Sequence, residues 1–557
     1  MVTHVFDMLA QVFAREDVNT CFALLGDANM SFATRLSESG CRMIYVRHEH
    51  CAVAAAMAYA RKTGSTGVAT VTCGPGLTQL MTALPAAVRA HLPLVVLAGE
   101  APLKSGWYNQ AIQQAPFVEA TGAAYHSLHW PQRMPVAIRD AFLQAQRERR
   151  PVVVGIPFDL QELEWSPTDL PPPSRDLLPH RSAMPANAQD LAHAALLIGA
   201  AERIVVMAGM GAVEADAGDA CRQLAERCDG LLATSLPARG LFHDDPFSIG
   251  IAGGFSSQMA RQCLEQSDLI IAVGCSLAQH NSDSGKLWEP ANVLQIDVDP
   301  VATNQGRVVA FHHMRADAHL GVSGLLEYLT PRPARWRTPE LAQALSDTAA
   351  DDFDYPDDPP FFDPRAVVER LETVLPQDWE LVNSSGHCSY FFAQMPSRPN
   401  RNFLTIREFG AIGNGISFAM GVAAARPDSP VVLFDGDGSL LMHVQELETI
   451  LRHRMNILIV VLNDGGYGSE VHKLRAEGLA IDGAAFGRTD LAAIARGFGA
   501  TGVAVKDLDD LDQLTADFAE QGGLTVWDFQ VSDQVVSPVI RRSHAKPAPS
   551  SSGDRPS

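Results

Sequence analysis

The sequence predicts an α/β protein of three domains, each built on a mainly parallel sheet flanked by helices. Three observations carry that expectation. At 557 residues the chain is too long for one hydrophobic core. Apolar strand-like runs alternate with helix-like stretches through most of its length, the pattern of parallel α/β units. Two Pro- and acid-rich stretches interrupt that pattern: SPTDLPPPSRDLLPHRSAMP at 166–185 and DTAADDFDYPDDPPFFDP at 347–364. Both read as linkers, because neither buries enough apolar surface to form a core. The expected domains are 1–165, 186–345 and 360–540, with a disordered tail at 541–557.

Composition narrows the class. The chain is 46% hydrophobic and 19% charged, and no run approaches the roughly 20 apolar residues of a membrane helix. Acids interrupt the apolar residues of the N-terminus, which lacks a signal-peptide layout. Nine cysteines are scattered with no CxxC pair, which points to reduced thiols in a cytoplasm. A net charge of −21 argues against a nucleic-acid partner, which would need a basic face.

The most informative stretch is 430–470. PVVLF (430–434) and NILIVVL (456–462) read as buried parallel strands, and SLLMHVQELETILRH between them has helical apolar spacing. In a right-handed strand–helix–strand unit both strand ends emerge at one sheet edge, where open α/β sheets bind ligands. The first strand ends in Asp435-Gly436-Asp437-Gly438 and the second in Asn463-Asp464-Gly465-Gly466. Asp437 and Asp464 can then face one point. The glycines let backbone amides approach a phosphate, and a helix starting near Ser439 offers its positive end. Hard oxygen ligands beside a diphosphate suit Mg²⁺. Alone, Gly-Asp-Gly is equally well a tight turn; the second carboxylate turn favours the metal.

Gly436-Asp437-Gly438, followed after 24 residues by Asn463-Asp464, resembles the thiamine-diphosphate motif, with Asp464 standing where that family usually has a second Asn. The resemblance implies thiamine diphosphate and Mg²⁺ as cofactors, with Asp437, Asp464 and the Gly466 carbonyl as metal ligands. Gly436, Gly438, Ser439 and Tyr467 would line the cofactor. YVRHEHCAVAAAMAYAR (45–61) resembles the family segment that supplies the glutamate partner of the aminopyrimidine ring, here Glu49. Such a glutamate shares a proton with the ring; a glutamate opening an Ala-rich helix fits the pattern equally well. REFGAIGNG (407–415) is similar to the family's G-x-[MI]-G segment, with Ile412 as the wedge that bends the cofactor and the Gly410 carbonyl as an acceptor. Gly386-His387-Cys388 in LVNSSGHCSYFF resembles a diphosphate turn, His387 being the stronger contact. TCGPGLTQL, LPLVVLAGEAP, SDLIIAVGCSL and VLQIDVDP extend the likeness over about residues 5 to 535. In family terms the three domains are pyrimidine-binding, central and diphosphate-binding.

Two branches of the family compete. NQAIQQAP (109–116) resembles the acetolactate-synthase stretch that carries an active-site glutamine, here Gln113. That branch implies decarboxylation of a 2-oxo acid followed by carboligation. Its Arg-Gln-Trp stretch is replaced by GYGSEVHKLRAEG with Lys473 near the Trp position, and its flavin signatures are missing at 250–258 and 276–282, so FAD is unsupported. LLGDANMSF and GYGSEVHKL resemble the decarboxylase segments that supply two acids, Asp27 and Glu470, able to relay a proton and release an aldehyde. Of the histidines available to replace the decarboxylases' His-His pair, His50, His91 and His472, each is more often structural. A C–C hydrolase of a diketone and an inactive cofactor-binding homologue complete the alternatives. The resemblance also implies a homodimer or tetramer with sites between subunits, and a small 2-oxo acid or related carbonyl compound as substrate.

Overall fold

The computed structural model describes residues 3–165, 169–179 and 182–544. The tail expected at 541–557 therefore lies outside the described residues from position 545 onward.

Three six-stranded sheets follow one another along the chain, and every strand pairing within them is parallel. The first contains β1 (Thr20–Ala23), β2 (Arg42–Tyr45), β3 (Gly67–Val71), β4 (Leu94–Glu100), β5 (Ala124–Ser127) and β6 (Pro151–Pro157), in the order 2-1-3-4-6-5. The second contains β7 (Ile204–Ala208), β8 (Leu231–Thr234), β9 (Ser248–Ile251), β10 (Leu269–Val273) and β11 (Val293–Asp297). A two-stranded ribbon, β12 (Thr303–Asn304) and β13 (Arg307–Val308), precedes its last strand, β14 (His312–Arg315). The order 14-11-10-7-8-9 is that of a doubly wound dinucleotide fold. The third sheet contains β15 (Glu380–Asn383), β16 (Phe403–Thr405), β17 (Val431–Gly436), β18 (Ile457–Asn463), β19 (Thr501–Ala504) and β20 (Leu524–Gln530). Its order, 16-15-17-18-20-19, repeats that of the first sheet strand for strand.

The physics of β17 and β18 shows why the central strands stand where they do. All seven residues of β18 are buried, as a strand covered by helices on both faces requires. The reversal of strand order falls between β15 and β17 in the third sheet and between β1 and β3 in the first. Crevices at such points are where doubly wound sheets bind ligands.

Helix Glu49–Thr63 of the first domain packs directly on helix Gly415–Ala425 of the third. Small residues make this close approach feasible: a Cβ on Gly421 would stand 2.2 Å from the Ala55 carbonyl oxygen. Apolar residues of both domains merge there into one core that includes Val71, Met420 and Ile459. At its far end the helix stops at Gly64, whose φ of 72° suits glycine.

The sequence pattern led to one helix after β17. The structure instead has two short ones, Asp437–Met442 and Glu446–Arg452. The break has a tertiary cause. The His443 ring pairs through Nδ1 with the Gly413 carbonyl oxygen at 2.8 Å, and Glu446 turns inward to accept from the Arg47 amide at 2.9 Å. The acidic stretch 347–364 is irregular after helix Pro339–Asp347, yet Arg541 ties Asp351 down at 2.7 Å.

Candidate active site

The third sheet brings three turns together at the carboxyl ends of β15, β17 and β18. After β15 comes Gly386 at φ 107°, where a Cβ would lie 3.7 Å from the Ile412 side chain. After β17 come Gly436 and the buried Asp437. Asp437 Oδ2 accepts from the Gly465 amide at 3.0 Å, which ties the first carboxylate turn to the second. Burial and the neighbouring charge of Asp464 push the Asp437 carboxyl above its usual range. Two carboxylates face each other here with no Lys or Arg bridging them among the described residues, an arrangement that suits a cation. No cluster of three His, Cys, Asp or Glu side chains able to hold a metal occurs among the described residues.

His387 sits beside this pair. The Ser537 amide donates to its Nε2 at 3.0 Å, so the ring proton resides on Nδ1, which lies 3.7 Å from Asp464 Oδ2. His387 is thus a fixed N–H donor at the turn. The buried ring of His472 packs against it, with centroids 4.6 Å apart. Gly468 is tightly confined, since a Cβ there would stand 2.2 Å from Asp464 Oδ2. Ser439 donates or accepts across to Ser384 at 3.2 Å and accepts from the Gly413 amide at 2.9 Å, closing the floor below Ile412. Gly410, at φ 73°, lies exposed on the same loop. Tyr467 is partly exposed, its ring edge-on to Phe486 at 5.4 Å and so near Gly438 that a Cβ there would be 2.8 Å away. The backbone of Gly466 is bridged to Ala485. Glu470 and Lys473 pair at 3.2 Å, both exposed on helix Gly468–Glu477.

A second constellation forms at the matching edge of the first sheet. Glu49 is the first residue of its helix, and a Cβ on Gly76 would stand 3.5 Å from its Oε1. Burial raises its pKa, and no cation pairs with it among the described residues. Asp27, after β1, accepts from the Tyr108 hydroxyl at 3.3 Å. Gln113 is exposed and caps a short helix; the residue that builds the edge is its neighbour Gln114, which the sequence reading passed over. Gln114 is buried, accepts from the Gly74 amide at 2.9 Å and donates to the Gly99 carbonyl at 3.0 Å. Its one local signal was the Gln113-Gln114 doublet in NQAIQQAP.

His50 and His443 also proved to be part of the architecture. Their rings stack at 5.0 Å, and His50 Nε2 lies 2.5 Å from Asn414 Oδ1. Burial holds His50 neutral by lowering its pKa to about 4. His91 is exposed at φ 51°. The nine cysteines are all free and buried.

A sheet edge carrying a paired-carboxylate turn, a glycine turn and a fixed N–H donor, matched by a second edge bearing an unpaired glutamate, is the arrangement of an α/β class suited to an anionic ligand with a cation. Comparison with known proteins makes that class specific. Residues 3–118, 191–325 and 384–529 match the N-terminal, central and C-terminal domain models of thiamine pyrophosphate enzymes. The acetolactate synthase isozyme 2 large subunit of Escherichia coli is 30% identical over 480 residues, covering 81% of each chain. The acetolactate synthase large subunit of Parasynechococcus marenigrum is 29% identical over 542 residues, 94% of this chain and 86% of the relative. A probable 2-ketoarginine decarboxylase, AruI of Pseudomonas aeruginosa, is 29% identical over 543 residues, 92% of each. The chain belongs to the thiamine-diphosphate-dependent enzyme family, in its acetolactate synthase and decarboxylase group. The described residues include no helix long and apolar enough to cross a membrane.

Proposed function

We propose that the protein is a thiamine-diphosphate- and Mg²⁺-dependent carboligase that decarboxylates a 2-oxo acid and joins the remainder to a second carbonyl compound. The observation that carries this reading is the facing pair Asp437 and Asp464 at the ends of β17 and β18, tied together through the Gly465 amide. When bound, thiamine diphosphate supplies a carbon nucleophile that adds to a carbonyl and holds the charge left by departing CO₂.

The chain's own residues supply the rest. Asp437 and Asp464, with the Gly466 carbonyl, would hold the cation, while Gly436, Gly438, Ser439 and the Gly386-His387 turn would receive the diphosphate. His387 donates from Nδ1. Ile412 and the Gly410 carbonyl shape and orient the cofactor's rings, and Tyr467 flanks it. Glu49, whose pKa burial raises, would face the aminopyrimidine as its proton partner. Gln113, exposed at the start of helix Gln114–Glu119, would be available to a second substrate.

No hydrogen bond or ion pair joins Glu49 to the Asp437 turn among the described residues. Exposed apolar side chains border both edges: Leu25 and Phe117 on one, Met442, Tyr467 and Phe486 on the other. The reading that follows is a dimer in which each chain's Glu49 completes the partner's site. The domain limits 1–165, 186–345 and 360–540 are part of the same proposal.

Asp27 and Glu470 support a second reading, release of an aldehyde by proton delivery, since both carboxylates stand exposed at the two edges. Proton NMR of products from protein, thiamine diphosphate, Mg²⁺ and pyruvate separates the two. Acetolactate is the expected product; acetaldehyde would transfer the assignment to Asp27 and Glu470. Pyruvate left intact by cofactor-loaded protein would remove pyruvate as the donor.

A further inference from the structure

The structure contains a guanidinium that none of these roles uses. Arg407 lies on the loop that carries Gly410 and Ile412, only partly open to solvent. Its NH1 donates to Ser389 Oγ, and Ser389 Oγ in turn donates to the Gly386 carbonyl at 2.6 Å. From the central domain the Phe255 ring covers one face, 4.9 Å from the guanidinium carbon. No carboxylate lies within ion-pair distance of Arg407 among the described residues. Burial pulls its pKa down to about 10, which leaves it charged at neutral pH.

Two other enclosed cations near the domain contacts are paired. Lys62 meets Glu380 at 2.6 Å, and Arg398 meets Glu372 at 2.6 Å. Arg239 also lacks a carboxylate, but at 3% exposure and laid on the Phe403 ring it is closed to any ligand. Arg307, Arg332 and Arg488 are likewise partly buried and meet no carboxylate among the described residues; Arg407 is the one among them linked, through Ser389, to the Gly386 turn. A cation withdrawn from water without a counter-charge is costly, and an arriving anion removes that cost. The position is informative too. The buried Cys388 thiol feels Arg407 along with Asp435, Asp437 and Asp464, so the guanidinium and the carboxylate turn flank one residue. Arg542, which donates to the Gly254 carbonyl at 2.6 Å, adds a second cation beside the Phe255 segment.

We infer that Arg407 forms an anion subsite that selects 2-oxo acids carrying a second, remote acidic group. This rests on the reading of the protein as a 2-oxo acid enzyme. The departing carboxylate is the wrong partner for such a residue: pairing it with a buried guanidinium stabilises the ground state and is lost in the transition state, which slows release of CO₂. A remote carboxylate or phosphonate keeps its charge throughout and matches the two-pronged donor of arginine. A substrate ending in a guanidinium, as the name of the Pseudomonas relative implies for that protein, is disfavoured here.

The test uses cofactor-loaded protein and the matched pairs 2-oxoglutarate and 2-oxopentanoate for turnover, glutarate and butyrate for calorimetric binding. The expected result is a kcat/KM about 100-fold higher for 2-oxoglutarate, with glutarate binding and butyrate not. Arg407→Gln should erase both preferences and leave thiamine diphosphate affinity unchanged; Arg407→Lys, the safer variant for folding, should retain a preference of roughly tenfold. Equal use of both oxo acids with no binding of glutarate overturns the subsite. So does a loss of thiamine diphosphate affinity in Arg407→Gln, which would make the cofactor's diphosphate the anion Arg407 meets. Glutarate binding that depends on Arg407 without turnover of either oxo acid would uphold the subsite and overturn the reaction assigned above.

Discussion

Replacing Lys62 with Met tests how the two catalytic edges are held in one chain. Lys62 spends all three ammonium protons on the third domain: Glu380 Oε2 at 2.6 Å, the Arg401 carbonyl at 2.6 Å and the Phe403 carbonyl at 3.1 Å. Its side chain is 6% exposed and that of Glu380 7%, so the substitution strands a buried carboxylate. Breaking such a pair costs about 3–5 kcal/mol. Arg426, 3.7 Å from Glu380 but largely exposed, offsets about 1 kcal/mol of that. The expected net loss is about 2–4 kcal/mol, a fall of about 1 M in the urea midpoint at a slope of about 3 kcal/mol/M. Tryptophan fluorescence is a suitable readout, because buried Trp379 directly precedes Glu380. The double variant Lys62→Met with Glu380→Leu should recover most of the loss, since both charges are then gone. A single-variant loss below about 1 kcal/mol, or a double variant whose loss equals the sum of the two singles, would refute the reasoning. Turnover per folded molecule should be unchanged, because Glu49 lies at the opposite end of the 15-residue helix.

Three further outcomes are expected. Glu49→Gln should keep the circular dichroism of the parent and lose turnover by about 10²–10⁴-fold; full activity would remove Glu49 from the site. Asp437→Ala should abolish calorimetric binding of thiamine diphosphate in Mg²⁺ buffer without lowering the melting temperature of the cofactor-free protein, because it relieves the repulsion with Asp464. His50 sets an acid limit. Its pKa is about 4 when folded and 6.5 when free, so the unfolded chain takes up the proton first as pH falls. Stability is then full above pH 6.5 and declines toward pH 4 by about 3 kcal/mol. Urea midpoints across that range should flatten in His50→Gln, and an unchanged slope would place the acid sensitivity elsewhere.

The parts of this molecule legible in its sequence are those written within a few residues. β17 and β18 announce themselves because strands covered on both faces are continuously apolar and must end in turns that free their carboxylates. The resemblance to the family motif assigns Glu49, Ile412 and His387 proposed roles in the same chemistry. What stayed hidden depends on partners far along the chain. The helix after β17 breaks because His443 answers Gly413 and Glu446 answers Arg47, contacts that no local period encodes. Gln114 outranks Gln113 as a builder of the first edge because the turn at Gly74 needs an acceptor from that side. The identical strand order of the first and third sheets has no counterpart in any short-period sequence repeat, since topology is set by where helices cross rather than by which apolar residues fill them. Arg407 shows the same limit most clearly. In the sequence it is an arginine beside a glutamate, an ordinary surface pair. In the fold its neighbour Glu408 turns to Arg61 at 3.4 Å, and Arg407, bonded to the Ser389 hydroxyl, has no carboxylate of its own among the described residues. Which charges the chain leaves without a counter-charge is written in the folded arrangement and not in any local stretch.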